Sequence, residues 1–242
     1  MATFVLVHGA WHGGWCWKRV TPLLRKGGHE VYAPTLTGLG ERSHLRRQGI
    51  SLETHIRDVV NVLQFEDLRD VILVGHSYAG MVIAGVADVA PERLRHLVYL
   101  DAMTPKDGQS MLDYAGPKFE KDVRRRVDRH GDGWLFPYMR DWGTFGVTDK
   151  KDLEWMVPRL TSIPIATWEQ EVRFRNHDAL ALPKTFIWCS GPGRTKKDVR
   201  KDWPLPADFP KGWGFYQIKT GHDAMITAPR ELARILIKVA RG

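Results

Sequence analysis

The stretch Val71–Gly80, read Val-Ile-Leu-Val-Gly-His-Ser-Tyr-Ala-Gly, constrains the fold more than any other part of the chain. Val71–Val74 is a short β-branched apolar run, the pattern of a strand buried on both faces. From Tyr78 the sequence becomes small and apolar, which suits a helix packed against a sheet. Only a sharp turn fits between them, with Ser77 at its tip. A strand–serine–helix turn lifts the hydroxyl above the sheet and aims the helix N-terminus at it, where negative charge is favoured. Such a turn is too tight for large side chains two residues either side of the serine. Gly75 satisfies this, and Ala79 with Gly80 beyond it stands where glycine is usual. The plainer alternative is a strand–helix turn that happens to hold a serine.

The rest of the chain repeats the strand–helix alternation. Phe4–Val7 reads as a strand ending in His8-Gly9-Ala10-Trp11-His12-Gly13-Gly14, whose glycines let backbone approach a ligand closely. Trp15–Lys26 reads as a helix, Glu30–Ala33 as a strand, and Ser51 as the cap of a helix with Ile56, Val59, Val60 and Leu63 at helical spacing. Strands follow at His96–Leu100, Thr185–Cys189 and Gly214–Ile218, and a last helix at Pro229–Ala240. The alternation predicts an α/β protein, a mostly parallel sheet of about six strands flanked by helices. Residues 103–182, rich in charge, Pro and Trp, read as a helical insertion or cap on a core of 1–102 and 183–242, the whole one compact domain.

With 242 residues, 43% of them hydrophobic, the chain can bury a real core. No apolar run is long enough to cross a bilayer, and the first residues carry no basic leader or cleavage site, so a cytoplasmic protein is expected. Two cysteines, Cys16 and Cys189, sit in no metal or redox motif and are expected reduced. The net charge of +8 is concentrated in Lys118–Arg129 and Arg194–Lys201. Without a nucleic-acid reading motif this is a solvated basic surface, with a mild pull on anionic substrates. His, Cys and carboxylates are not grouped at ligand spacing, so no metal and no cofactor is expected.

In parallel sheets ligands sit beyond the carboxyl ends of the strands. Those ends supply His8–Trp11, Ser77, Asp101 and Gly221-His222-Asp223. A serine hydroxyl needs a base to become nucleophilic, and the base needs an oriented carboxylate. The order Ser…Asp…His is the chain order of one triad architecture. Asp101 is preferred as the acid, because it closes the strand beside the Ser77 strand. Asp198 and Asp202, in the basic segment beyond Thr185–Cys189, are the alternatives. His12 either contacts the pocket or pins the glycine loop. His76 reads as a structural hydrogen-bonder, and Asp223 as structural, since an adjacent side chain seldom points back at its neighbour's ring.

His8–Trp17, Gly75–Gly80 and Gly221-His222-Asp223-Ala224-Met225 together resemble the α/β-hydrolase fold over nearly the whole chain. The resemblance runs toward small bacterial carboxylesterases, including pyrethroid-cleaving ones, and toward the plant methylesterase and hydroxynitrile lyase branch. It implies Ser77 as nucleophile, His222 as general base, and the backbone N–H groups of Ala10 and Tyr78 as an oxyanion hole. Gly9, Trp11, His12 and Met225 are the candidate substrate-binding residues; Trp11 and Met225 flank the oxyanion and histidine loops and favour an apolar or aromatic group. Trp134, Phe136, Tyr138, Trp142, Phe145, Trp155 and Trp168 supply the insertion's own small core and part of the pocket wall.

The expected activity is hydrolysis of a small to medium carboxylic ester through an acyl-serine. Amide, lactone or thioester hydrolysis uses the same triad, and a non-catalytic ligand receptor would retain the same fold. Lyases of the resembling branch carry Thr after the first-strand histidine and Lys after the catalytic histidine. Gly9 and Asp223 stand there instead, so no ammonium is present to stabilise departing cyanide. Expected partners are a small-molecule ester, with no nucleic acid and no membrane; a homodimer stays open.

Overall fold

The computed structural model describes residues 1–139, 143–191 and 212–242. Its strands are β1 (Thr3–Val7), β2 (Glu30–Tyr32), β3 (Val71–His76), β4 (Leu94–Leu100), β5 (Leu135–Phe136), β6 (Ile163–Pro164), β7 (Lys184–Cys189) and β8 (Gly214–Ile218). Six of them form one sheet in the order β2-β1-β3-β4-β7-β8, and every pair in it is parallel. β3 therefore lies inside the sheet between β1 and β4, which explains why all six of its residues are buried.

The pleat sends alternate residues to opposite faces, and the two faces carry separate cores. Val5, Val7, Val71, Leu73, Leu97 and Tyr99 face one; Phe4, Leu6, Ile72, Val74, Val98 and Leu100 face the other. Helices α1 (Thr21–Lys26), α2 (Leu52–Phe65) and α3 (Ala79–Val89) follow in the first part of the chain. Ile56, Val59 and Leu63 of α2, with Met81, Val82 and Val86 of α3, close the first face.

The expected helix over 15–26 is divided: a 3-10 turn at Gly14–Arg19 precedes α1. Pro22 has no N–H to donate backwards and is tolerated only in a helix's first turn, so the helix restarts around it.

Between β4 and β7 lie α4 (Met111–Ala115), α5 (Pro117–His130), α6 (Lys150–Met156), α7 (Ala166–Glu169) and α8 (His177–Ala181). This stretch reads as a helical insertion in the sequence, and it also contains the antiparallel ribbon β5–β6, with Leu135 opposite Pro164 and Phe136 opposite Ile163. Phe136, Ile163 and Trp168 join the first core and Val147 and Met156 the second, so the segment packs onto both faces. α5 carries much of one basic cluster, but Arg124, Arg125 and Arg126 pair with Glu120 and Asp122 on the same helix. The other cluster, Arg194–Lys201, lies outside the described residues.

After β8 come α9 (Ala224–Thr227) and α10 (Pro229–Ala240); Leu232, Ile235, Leu236 and Val239 of α10 close the second face with Leu24 of α1. Among the described residues no helix is long and apolar enough to cross a membrane.

Candidate active site

Ser77 sits one residue past β3 with φ +56°, a left-handed conformation that a non-glycine residue adopts only when its surroundings impose it. Three backbone hydrogen bonds do so. Its N–H donates to the Leu100 carbonyl at 3.2 Å, and its own carbonyl accepts from Gly80 at 3.0 Å and Met103 at 3.1 Å. A Cβ on Gly75 would come within 2.7 Å of the Ala79 carbonyl oxygen, which is the reason the turn needs glycine there.

The residues at the other strand ends converge on this apex. Asp101, also at positive φ (+43°), is fully buried at the end of β4. Its Oδ2 accepts from Nδ1–H of His222 at 2.5 Å, and its Oδ1 accepts from the Cys189 N–H at 3.3 Å. His76, next to Ser77, donates from Nε2 to the His222 carbonyl at 3.1 Å, with the two rings 4.5 Å apart. Asp101 and His222 therefore meet, and His222 is tied to His76, the residue directly before Ser77. Asp198 and Asp202 lie outside the described residues.

The loop after β1 closes the other side. A Cβ on Gly9 would sit 2.9 Å from the Ser77 Cβ, so only glycine lets this backbone approach the serine so closely. Among the described residues no protein acceptor takes the backbone N–H of Ala10 or of Tyr78. His8 Nδ1–H donates to the Gly9 carbonyl at 2.9 Å and so fixes the peptide plane that carries the Ala10 N–H. The Tyr78 ring is held through its hydroxyl, which donates to Nδ1 of His55 at 3.0 Å.

Two residues expected at the substrate do something else. His12 is buried with both ring nitrogens engaged inside the protein, on the Ala10 carbonyl at 2.8 Å and on Asp223 Oδ2 at 3.0 Å. Of the two roles open to it, pinning the loop is the one its contacts fit. Met225 is fully buried in the second core, a position set by α9 following the loop directly. Asp223 Oδ2 accepts from His12, and its Oδ1 lies 3.7 Å from His76 Nε2.

Trp11 (φ +63°) docks the inserted segment: its indole N–H donates to the Phe136 carbonyl at 3.0 Å, and its carbonyl accepts from Thr161 at 2.8 Å. Its ring meets Phe136, Tyr138, Phe145 and Trp168 at centroid distances of 5.2, 6.5, 5.8 and 5.6 Å. Phe145 also lies 6.1 Å from the His222 ring, and its carbonyl accepts from the Asp223 N–H. Trp155 faces away and packs edge-on against Trp15; Trp142 lies outside the described residues.

Strand-end position, directly before Gly9, marks His8 and residue type marks Phe145, but nothing in the sequence assigns a role to either or to His55.

His76, His222 and Asp223 bring potential metal-ligand atoms within 4.8 Å of one another. Three of their atoms are already engaged, His76 Nε2 on the His222 carbonyl, His222 Nδ1 on Asp101 and Asp223 Oδ2 on His12, while Asp223 Oδ1 lies 3.7 Å from His76 Nε2.

Burial pushes His8 down to about 3 and His55 down to about 4. Their partners agree with neutral rings: each donates from one nitrogen and accepts at the other, His8 from the Leu36 N–H and His55 from the Tyr78 hydroxyl. The unfolded chain protonates these histidines below its ordinary 6.5 while the folded chain resists, so acid favours unfolding. The loss begins as pH falls through 6.5 and continues toward 4 and 3. Each is worth roughly 3–5 kcal/mol by the usual conversion, against a total stability of about 5–15 kcal/mol. We expect Tm to fall steeply between pH 6.5 and 4, followed by circular dichroism; a flat Tm over that interval would contradict the neutral assignment.

A profile of the alpha/beta hydrolase family matches residues 4–235. The chain is 39% identical over 249 residues to the carbendazim hydrolyzing esterase of Nocardioides sp. (strain SG-4G), covering 98% of each. It is 27% identical to methylesterase 1 of Arabidopsis thaliana, over 98% of this chain and 95% of that one. Among solved structures, an extracellular alpha/beta-hydrolase from a Paenibacillus species superposes with a TM-score of 0.82 at 23% identity, covering 98% of both chains. A pyrethroid hydrolase from Sphingobium faniae JZ-2 superposes with a TM-score of 0.80 at 21% identity, over 100% of this chain and 98% of that one. The parallel sheet, the strained serine turn and these matches agree, and the chain belongs to the alpha/beta hydrolase family.

Proposed function

We propose that the chain is a serine esterase that hydrolyses small carboxylic esters with an apolar or aromatic group. The carrying observation is the 2.5 Å bond between His222 Nδ1 and buried Asp101, formed beside the strained Ser77 turn. The Asp101 bond keeps the Nδ1–H tautomer, leaving Nε2 of His222 to take the proton from Ser77 as its Oγ attacks the ester carbonyl. The oxyanion of the tetrahedral intermediate is met by the N–H groups of Ala10 and Tyr78, donors of a kind worth about 3–4 kcal/mol each. His222 returns the proton to the leaving alcohol, and an acyl-Ser77 ester remains. Water, deprotonated by His222, attacks that ester; the acid is released and the Ser77 hydroxyl reforms.

Residues 103–182 act in this reading as a cap over the strand ends. Phe145, Tyr138 and Trp11 supply an aromatic wall next to His222, which suits an apolar or aromatic substrate group. The relatives' names, an esterase and a methylesterase, point the same way. A lyase is disfavoured: Asp223, directly after His222, is a buried acid paired with His12, the reverse of the charge that would stabilise cyanide. The buried Cys16 and Cys189 suit a reducing, cytoplasmic setting.

An activated phosphonate ester and mass spectrometry test the assignment. One phosphonyl group should attach to the peptide containing Ser77, and an aryl ester should give a burst of one alcohol per chain. A catalytically active preparation with Ser77 unlabelled would sink it.

A further inference from the structure

Partners set the protonation of a buried histidine, and His12 differs from the others around the site. His8 and His55 each face one donor and one acceptor. His12 faces two acceptors: the Ala10 carbonyl at Nδ1 and the Asp223 carboxylate at Nε2. A neutral imidazole has a single N–H and satisfies only one of them. With His12 1% exposed and Asp223 fully buried, leaving either acceptor empty is costly.

These two bonds also join separate parts of the proposed machinery. Ala10 carries an oxyanion N–H, and its carbonyl belongs to the peptide leading into Trp11, which is strained at φ +63°. Asp223 follows the general base. We infer that His12 is a permanently charged imidazolium that acts as a positioning residue, locking the oxyanion loop to the His222 loop. The inference rests on the serine-esterase reading and extends it to how the two loops are kept in register.

The surroundings are consistent with a charge at this point. Burial alone would discharge His12, but the Asp223 charge and hydrogen bond outweigh it and raise its pKa, while His12 in turn lowers that of Asp223. The other titratable groups facing the pair are His8, His76, His222 and the Cys16 thiol. Burial holds His8 and His76 neutral and pushes the thiol up, so none of these three brings a competing charge at neutral pH. Phe145 and Trp15 pack around the His12 ring at 5.4 Å, closing it from water.

The direct test is NMR of the whole chain carrying ¹⁵N-labelled histidine, with His12 identified by its contact with the Trp15 ring. Both ring nitrogens should stay protonated from pH 6 to 8.5. A single protonated nitrogen at pH 7.5 overturns the inference.

Kinetics supply a second arm. His12→Gln should lower kcat by about 10²-fold, the scale expected for a small misplacement of reacting groups, with KM changed much less. Asp223→Asn keeps an acceptor for Nε2–H but removes the charge that holds the second proton. It should add an alkaline limb to the kcat–pH profile that the parent chain lacks. Folded His12→Gln with unchanged kcat, or Asp223→Asn with an unchanged profile, overturns the positioning role. The NMR measurement needs neither substrate nor variant, so it decides if His12→Gln fails to fold. Loss of Ser77 labelling would sink the esterase reading while leaving the protonation of His12 to be read separately.

Discussion

Replacing Ser77 by alanine should lower kcat for a small aryl or methyl ester by about 10⁵–10⁶-fold, the range set by nucleophile deletions in enzymes whose serine and histidine act as a unit. The unit behaviour gives a sharper form of the test. Once the hydroxyl is gone, His222 has no proton to accept, so Ser77→Ala and the double variant Ser77→Ala/His222→Ala should be nearly equally slow. Two independent groups would instead multiply their losses. The residual rate over water should stay measurable, because the Ala10 and Tyr78 N–H groups act through backbone that neither change removes. Folding should be little affected: the Ser77 turn is fixed by its backbone bonds to Leu100, Gly80 and Met103, none of which uses the hydroxyl. Thermal melts should therefore agree within a few degrees, and a Ser77→Ala chain that still turns over the ester with a burst would remove the nucleophile from the scheme.

Periodicity made the sheet legible. Val71–Val74, Gly214–Ile218 and Pro229–Ala240 carry their element type in spacing alone, and the structure places strands or a helix there. The same signal fails where an element is too short to repeat. Leu135–Phe136 and Ile163–Pro164 pair over two residues each, one of them a proline, and nothing in either stretch marks a strand. Pro22 is a legible helix breaker, yet Trp15–Lys26 reads as one helix in the sequence.

The site divides along a similar line. Ser77, Asp101 and His222 could be proposed because each closes or follows a strand, and parallel strands bring their ends to one edge. His12 and Asp223 could not be paired, since they lie 211 residues apart and neither belongs to a motif that names the other. Placing Met225 at the substrate assumed that a neighbour of the histidine loop faces the pocket. The turn into α9 sends its side chain into the second core instead. The aromatic residues of 103–182 were visible by type, but their directions depend on how the segment docks. The Trp11–Phe136 hydrogen bond and the Phe145 carbonyl set that docking, and both are contacts far apart in sequence.

Asp101→Asn should lower kcat by roughly 10³–10⁴-fold with KM nearly unchanged, and the reason lies in the second oxygen of the carboxylate. Asp101 Oδ1 accepts from the Cys189 N–H, while Oδ2 accepts from His222 Nδ1–H. An asparagine must keep its oxygen on the Cys189 N–H, because an amide NH₂ facing another donor would leave two buried groups unpaired. Its NH₂ then faces His222 and donates to Nδ1, which forces the proton onto Nε2. In that tautomer the ring offers Ser77 a donor where it needs an acceptor, a situation that costs about 10⁴ in serine proteases. The backbone should tolerate the change, since Asn adopts the left-handed conformation of residue 101 more readily than most side chains. The loss should thus appear in kcat and in the rate of phosphonate labelling at Ser77, but not in the melting temperature. A folded Asp101→Asn chain with undiminished kcat would move the supporting acid elsewhere, and Asp198 and Asp202 would be the next residues to replace.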